Sequence, residues 1–218
     1  MSRWPNLFIV GAPKSGSSFL YDKLRDHQDL FFPKTKELNF FSYSILEASS
    51  YYKDYKVKSE YDYLKVFKKG QSVKYLVDGS VSYFAYPSIP KKLYEFNSDA
   101  KIIVIVRDPV LRAFSHYNMD KRMGYVTEPF SEYLMNKDNK YDQYLHQYIE
   151  NSLYYKHVNN YLEYFDRNQL FILQLEKIND DFDRLCKFLD IEKLELKSDN
   201  ERINANKIPT NIISRTLQ

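Results

Sequence analysis

The chain has one cysteine, Cys186. No disulfide can form within it, so a disulfide-stapled secreted scaffold is excluded and a reducing compartment is the natural setting. Cys186 falls with Phe182, Leu185 and Leu189 at helical spacing, which makes it an inert core residue. No apolar run approaches the ~18 residues of a membrane span. Met1 leads through Arg3, Trp4 and Pro5 straight into a strand-like stretch, without the regions of a signal peptide. No membrane span and a cytoplasmic location are therefore expected. The net charge is only +3, too small to argue for nucleic acid, and none is expected as a partner. The four histidines, His27, His116, His146 and His157, show no metal-ligand spacing with one another or with Cys186, so no metal is expected. Repeats and low-complexity tracts are also missing. What is present is 44% hydrophobic, with 21 Tyr and 15 Phe in 218 residues. That suffices for a single α/β domain with a substantial core.

The most informative stretch is Leu7 to Leu24. A short apolar run, Leu7-Phe8-Ile9-Val10, reads as a buried strand. The turn Gly11-Ala12-Pro13-Lys14-Ser15-Gly16 follows, then Ser17, Ser18 and a helical pattern with Leu20, Leu24 and His27 on one face. Strand, glycine turn and helix start together form an anion site, because free backbone N–H groups and the helix dipole point into the turn. The turn is close to the Walker A pattern G-x-x-x-x-G-K-[ST]. Gly11, Gly16 and Ser18 fit it, but Ser17 stands where the lysine should be, and the only lysine, Lys14, lies inside the loop.

Leu30–Pro33, Lys74–Asp78, Lys101–Val106 and Leu170–Leu173 are further strands, the third apolar on both faces as a central parallel strand should be. Helices are expected to end at Phe67, over Ser88–Phe96 with Pro90 in the first turn, after Pro109 with Val110, Phe114 and Tyr117 as its stripe, over 128–135, over 142–165 with Val158, Tyr161, Leu162 and Phe165 in line, and over 180–189. Strands alternating with helices predict a single α/β domain whose five-stranded parallel sheet carries helices on both faces. Ligands then bind beyond the carboxyl ends of the strands. Three polar clusters fall there: the Lys14 loop, Lys36-Glu37 and Arg107.

Arg107 follows six strand residues, where a planar cation suits a phosphate; Ser115, two turns into the next helix, offers a second donor. The alternative is that Arg107 pairs with Asp108 or caps a helix carboxyl end. Glu37, between Lys36 and Phe40-Phe41, is placed for a general base, or is a solvated loop charge. His116 reads as a helix-surface or partly buried residue rather than a base. The tyrosines at 51–63 and 141–155 suit packing or a groove for a polar, flat-faced substrate.

These residues resemble the sulfotransferases that use 3'-phosphoadenosine 5'-phosphosulfate (PAPS). GAPKSGSS is similar to the family's 5'-phosphosulfate loop, implying that Lys14, Ser15, Gly16, Ser17 and Ser18 hold the 5' end of the cofactor. IVRDPVLRAFSHY resembles its 3'-phosphate motif, implying that Arg107 and Ser115 hold the 3'-phosphate. KELNFF resembles the K-E-x-x-F-F element of the carbohydrate (heparan-type) branch, implying Glu37 as catalytic base. VDGSVSYF, SLYYKHVNNYLEYF and NQLFILQLEKI also follow the family in order. The chain departs from that branch in carrying Gly79 where a lysine is frequent and in showing no late glycine- and lysine-bearing loop before Gln218. Residues 1–218 are accordingly read as one sulfotransferase domain, C-terminally short. The resemblance implies in-line sulfuryl transfer to a small-molecule or glycan hydroxyl or amine, with Lys14 stabilising the leaving adenosine 3',5'-bisphosphate. The alternatives are a P-loop kinase or hydrolase, for which Val77-Asp78 is the nearest Walker B candidate, and a nucleotide- or glycan-binding protein without turnover.

Overall fold

The computed structural model describes residues 4–48, 57–135 and 142–193. Five strands, β1 (Leu7–Gly11), β2 (Leu30–Phe31), β3 (Tyr75–Asp78), β4 (Lys101–Val106) and β5 (Leu170–Gln174), form one sheet in the order β2-β3-β1-β4-β5. Every pairing is parallel. The helices among the described residues are α1 (Ser17–Leu24), α2 (Tyr43–Leu46), α3 (Glu60–Val66), α4 (Ser88–Phe96), α5 (Pro109–Arg122), α6 (Phe130–Met135), α7 (Asp142–Tyr148), α8 (Tyr154–Leu162) and α9 (Ile178–Leu189).

Alternation along β1 sets the two layers. Leu7 and Ile9 pack with Leu20 and Leu24 of α1 and with Phe182, Leu185 and Cys186 of α9. Phe8 and Val10 face the opposite core, built from Tyr63 of α3, Ile89 and Leu93 of α4, and Tyr161 of α8. Burying both faces explains why β1 and β4 are continuous apolar runs. From β1 the chain crosses to β2 and β3 on one side, then to β4 and β5 on the other. The connections therefore diverge between β1 and β4, the place where such sheets leave a crevice at the carboxyl edge. A third, tyrosine-rich cluster of Ala113, Tyr117, Val126, Tyr133, Tyr144 and Tyr148 joins α5, α6 and α7. No helix among the described residues is long and apolar enough to cross a membrane.

Several expectations are corrected. The segment expected as one helix over 142–165 breaks at Ile149, passes through a 3-10 turn at Glu150–Ser152 and resumes as α8; of its stripe, Tyr161 and Phe165 are buried but Leu162 is exposed. Of its expected stripe α5 buries Tyr117 but neither Val110 nor Phe114. Val110 is 69% and Phe114 39% exposed, while Arg112, Ala113, His116, Tyr117 and Asp120 turn inward. Apolar spacing misleads here because this helix covers a polar interior. His27 is buried, but past the end of α1, with its Nε2 3.1 Å from the Glu192 carbonyl. The second strand ends at Phe31 rather than Pro33. Of the tyrosine stretches, Tyr63 and Tyr148 are core and Tyr61 and Tyr155 are exposed; residues 51–56 and 141 lie outside the described residues.

Candidate active site

The turn after β1 owes its shape to two glycines. Gly11 has φ 144° and Gly16 φ 97°, conformations that L side chains rarely adopt. A Cβ on Gly11 would lie 2.6 Å from Phe84 Cβ, and one on Gly16 2.6 Å from Leu175 Cδ1. The Ala12 amide donates to the Ile105 carbonyl at 2.8 Å, tying the turn to β4. Gly16 caps α1 without a side-chain bond, so the first N–H groups of the helix face the turn. The Ser15 hydroxyl is wholly buried and has no hydrogen-bond partner among the described residues. Lys14 adopts a left-handed φ of 66° and points its ammonium at Met119 Sδ, 3.5 Å away. Its pKa is lowered, first by burial and next by Arg122.

Lys36 reaches this turn from beyond β2. Its Nζ donates to Ser17 Oγ at 3.2 Å and Ser18 Oγ at 3.0 Å and stands 3.4 Å from Glu37 Oε1. Glu37 Oε2 accepts from the Val81 amide at 2.8 Å. Glu37 itself has φ 60°, a strained conformation of the kind that collects at functional sites. Partial desolvation of the one-third-exposed side chain raises its pKa, and the Lys36 charge and the Val81 amide only partly oppose this. The side chain keeps 32% exposure, so an incoming molecule can reach the carboxylate.

Across the β1–β4 crevice, Arg107 Nη1 donates to the Lys14 carbonyl at 3.3 Å. Its buried Nε, like the buried Tyr154 hydroxyl, has no hydrogen-bond partner among the described residues. Burial raises the Tyr154 pKa; the neighbouring Ser15 hydroxyl, then the Arg112 charge and Arg107, oppose it, although the Ser15 and Tyr154 oxygens do not meet in hydrogen-bonding geometry. Ser15, Arg107 and Tyr154 thus converge on one spot with polar atoms unspent, which points to a ligand. Ser115 lies half-buried on α5. Lys36 belongs to a polar cluster expected at the ligand edge but has no role assigned from sequence, and neither Tyr154 nor Arg112 is expected as a site residue. Tyr154 and Arg112 sit in stretches with family resemblance, SLYYKHVNNYLEYF and IVRDPVLRAFSHY, which is their signal in the sequence; Lys36 has both its KELNFF stretch and its place at the ligand edge.

Arg112 is wholly buried. It donates to the Gln147 and Tyr148 carbonyls and to Ser152 Oγ, each at 2.7 Å, and to the Pro13 carbonyl at 3.5 Å. It thereby bolts the turn to the break between α7 and α8. Burial brings its pKa down to about 10. His116, expected near the surface, is only 2% exposed, and burial, then the Arg112 and Lys14 charges, hold its pKa well below the imidazole range. It is neutral and enclosed, a poor position for a base that must meet an acceptor. Asp78, the Walker B candidate, is wholly buried and accepts from Ser80 Oγ at 2.6 Å, Tyr63 at 2.8 Å and Tyr83 at 2.9 Å. Its carboxylate is committed to fixing β3 and the turn that positions Val81, not to a cation at the site.

Residues 5–208 match the sulfotransferase domain family. The chain is similar to a sulfotransferase from Alicyclobacillus acidocaldarius, at 30% identity with a TM-score of 0.77, covering 90% of this chain and 88% of that one. It is 24% identical over 181 residues to mouse heparan sulfate glucosamine 3-O-sulfotransferase 5 (80% of this chain, 49% of the relative). It is 28% identical over 179 residues to mouse heparan sulfate glucosamine 3-O-sulfotransferase 3B1 (81% and 43%). The chain thus spans about half the length or less of these curated relatives. A mouse sulfotransferase complexed with PAP shares the fold at 17% identity, TM-score 0.56, covering 89% of this chain and 61% of that one. With a matched span that takes in β1 through α9 and a sheet shared with these structures, the chain belongs to the sulfotransferase domain family.

Proposed function

We propose that the protein transfers a sulfuryl group from PAPS to a hydroxyl or amine of a carbohydrate acceptor. The observation that carries this reading is the pair of anion positions across the β1–β4 crevice. One is the start of α1 with Ser17 and Ser18. The other is Arg107 with its buried, unpartnered Nε, beside the unpartnered Tyr154 hydroxyl; the unpartnered Ser15 hydroxyl lies in the turn that joins the two. Free α1 amides at one end and unspent donors at the other fit a nucleotide carrying phosphate at both its 5' and 3' positions. The carbohydrate acceptor follows from the KELNFF element and from the heparan sulfate relatives.

When bound, PAPS supplies the sulfuryl group and departs as adenosine 3',5'-bisphosphate. The chain's own residues do the rest. The amides of the Gly11–Gly16 turn and the start of α1, with the Ser15, Ser17 and Ser18 hydroxyls, hold the 5' end; Arg107 and Ser115 hold the 3'-phosphate. Glu37 accepts the acceptor's proton at its carboxylate, where the raised pKa makes it a stronger base than a solvated glutamate. The Val81 amide fixes the carboxylate's orientation. Lys14 stabilises charge on the leaving oxygen once it swings from Met119; a thioether is a weak acceptor and holds an ammonium poorly. Positioning and fixed charge supply most of the acceleration, as in phosphoryl transfer.

Thermal unfolding with nucleotide tests the reading. Adenosine 3',5'-bisphosphate at ~100 times its dissociation constant stabilises by about 2.7 kcal/mol, or roughly 5–10 °C for a domain of this size. ATP with Mg²⁺ gives far less, and Arg107→Ala reduces the bisphosphate shift. Equal shifts from both nucleotides reject the assignment.

A further inference from the structure

The cation in front of α1 does not come from the glycine turn. Lys14 directs its ammonium away to Met119. Lys36, from the segment after the edge strand β2, takes the place instead, donating to both Ser17 and Ser18. A lone ammonium there works against the helix dipole, and two hydroxyls and one carboxylate at 3.4 Å are modest compensation for a full charge. An anion sharing the position with Lys36 reverses that balance, since the ammonium, the hydroxyls and the α1 amides would all face it. The wholly buried Ser15 hydroxyl in the same turn also lacks a partner, so the turn as a whole is short of an acceptor. Residue 79 leaves the path open. A Cβ on Gly79 would press on the Tyr21 ring at 3.1 Å and lie 3.9 Å from Lys36 Cε. A long side chain there would compete with Lys36 for the same space.

We infer that Lys36, rather than Lys14, is the principal cation that binds the anionic 5' end of the nucleotide in the ground state. This rests on the bisphosphate-nucleotide reading of the site, so the test separates the two. Calorimetric titrations use adenosine 3',5'-bisphosphate and adenosine 3'-monophosphate, which differ only in the 5'-phosphate. The variants are Lys36→Gln, which can still hydrogen-bond Ser17 and Ser18 but carries no charge, Lys36→Arg, and Lys14→Met, with melting temperatures recorded for each. The wild type prefers the bisphosphate. Lys36→Gln weakens bisphosphate binding by roughly 10- to 100-fold, the worth of a charge-assisted contact, and leaves affinity for the 3'-monophosphate within about twofold. Lys36→Arg keeps most of the preference, and Lys14→Met costs less than Lys36→Gln. Unchanged bisphosphate affinity in Lys36→Gln, equal loss toward both nucleotides, or a larger loss in Lys14→Met overturns the inference while leaving the site's nucleotide identity intact. A wild type that does not distinguish the two nucleotides overturns the underlying reading and the inference with it.

Discussion

Replacing Glu37 by glutamine separates a base from a binding group. The substitution is nearly isosteric. The amide oxygen can still accept from the Val81 N–H, now 2.8 Å from Oε2, and the backbone at φ 60° is unaffected. Lys36 loses its carboxylate partner at 3.4 Å but keeps the Ser17 and Ser18 hydroxyls. What disappears is the ability to take a proton at neutral pH. A positioned general base is worth roughly 10²–10⁴ in rate, or about 2.7–5.5 kcal/mol of barrier, so kcat falls by that factor while bisphosphate affinity changes little. Stability moves the other way. Burial raises the folded pKa of Glu37, so its ionised form costs stability once pH rises through that value; the uncharged variant melts at or above the wild type at neutral pH. In the wild type kcat/KM falls with acidification along a limb displaced above the usual carboxylate range, and in the variant that limb is lost. The assay is sulfate transfer from labelled PAPS over a panel of carbohydrate acceptors, with melting and nucleotide titration in parallel. Near-normal kcat in Glu37→Gln, beside an inactive but folded His116→Asn, would falsify the assignment of the base and remove the main reason for a carbohydrate acceptor.

Two further outcomes follow from the polar interior of α5. Arg112→Met leaves the Gln147 and Tyr148 carbonyls without their donor, and should cost on the order of 3–5 kcal/mol, lowering the melting temperature by roughly 10 °C; a variant that melts like the wild type shows that Arg112 does not hold the turn to the α7–α8 break. His116 titrates well below its ordinary 6.5 because of burial, so below about pH 6.5 the unfolded chain binds a proton that the folded chain refuses. Stability then falls by about 1.4 kcal/mol per pH unit on this residue's account; denaturant titrations at pH 7.5 and 5.5 should show a smaller difference in His116→Asn, and an identical difference refutes the depressed pKa.

The sequence by itself determined the strands and their parallel sense, though not their order in the sheet. β4 coincides with the expected Lys101–Val106, and α4 with Ser88–Phe96, because a doubly buried strand and a helix with proline in its first turn are specified by local chemistry. The strand–turn–helix unit at Leu7–Leu24 was legible for the same reason: the turn needs Gly11 and Gly16, and few sequences supply them. Tertiary structure decided what the long-range polar contacts do. Hydrophobic spacing placed Val110 and Phe114 inside, but Arg112, His116 and Asp120 are buried there, because backbone carbonyls from Gln147 and Tyr148 approach from another helix and satisfy the guanidinium. Asp78, the nearest Walker B candidate, is occupied by Tyr63, Tyr83 and Ser80, contacts that the apolar run before it does not reveal. Lys36 lies 18 residues from Ser18, and only the folding of β2 to the sheet edge and the space over Gly79 set it against the turn. Local periodicity encodes which faces are apolar; which charge meets which hydroxyl depends on elements distant in the chain, and no local pattern carries that information.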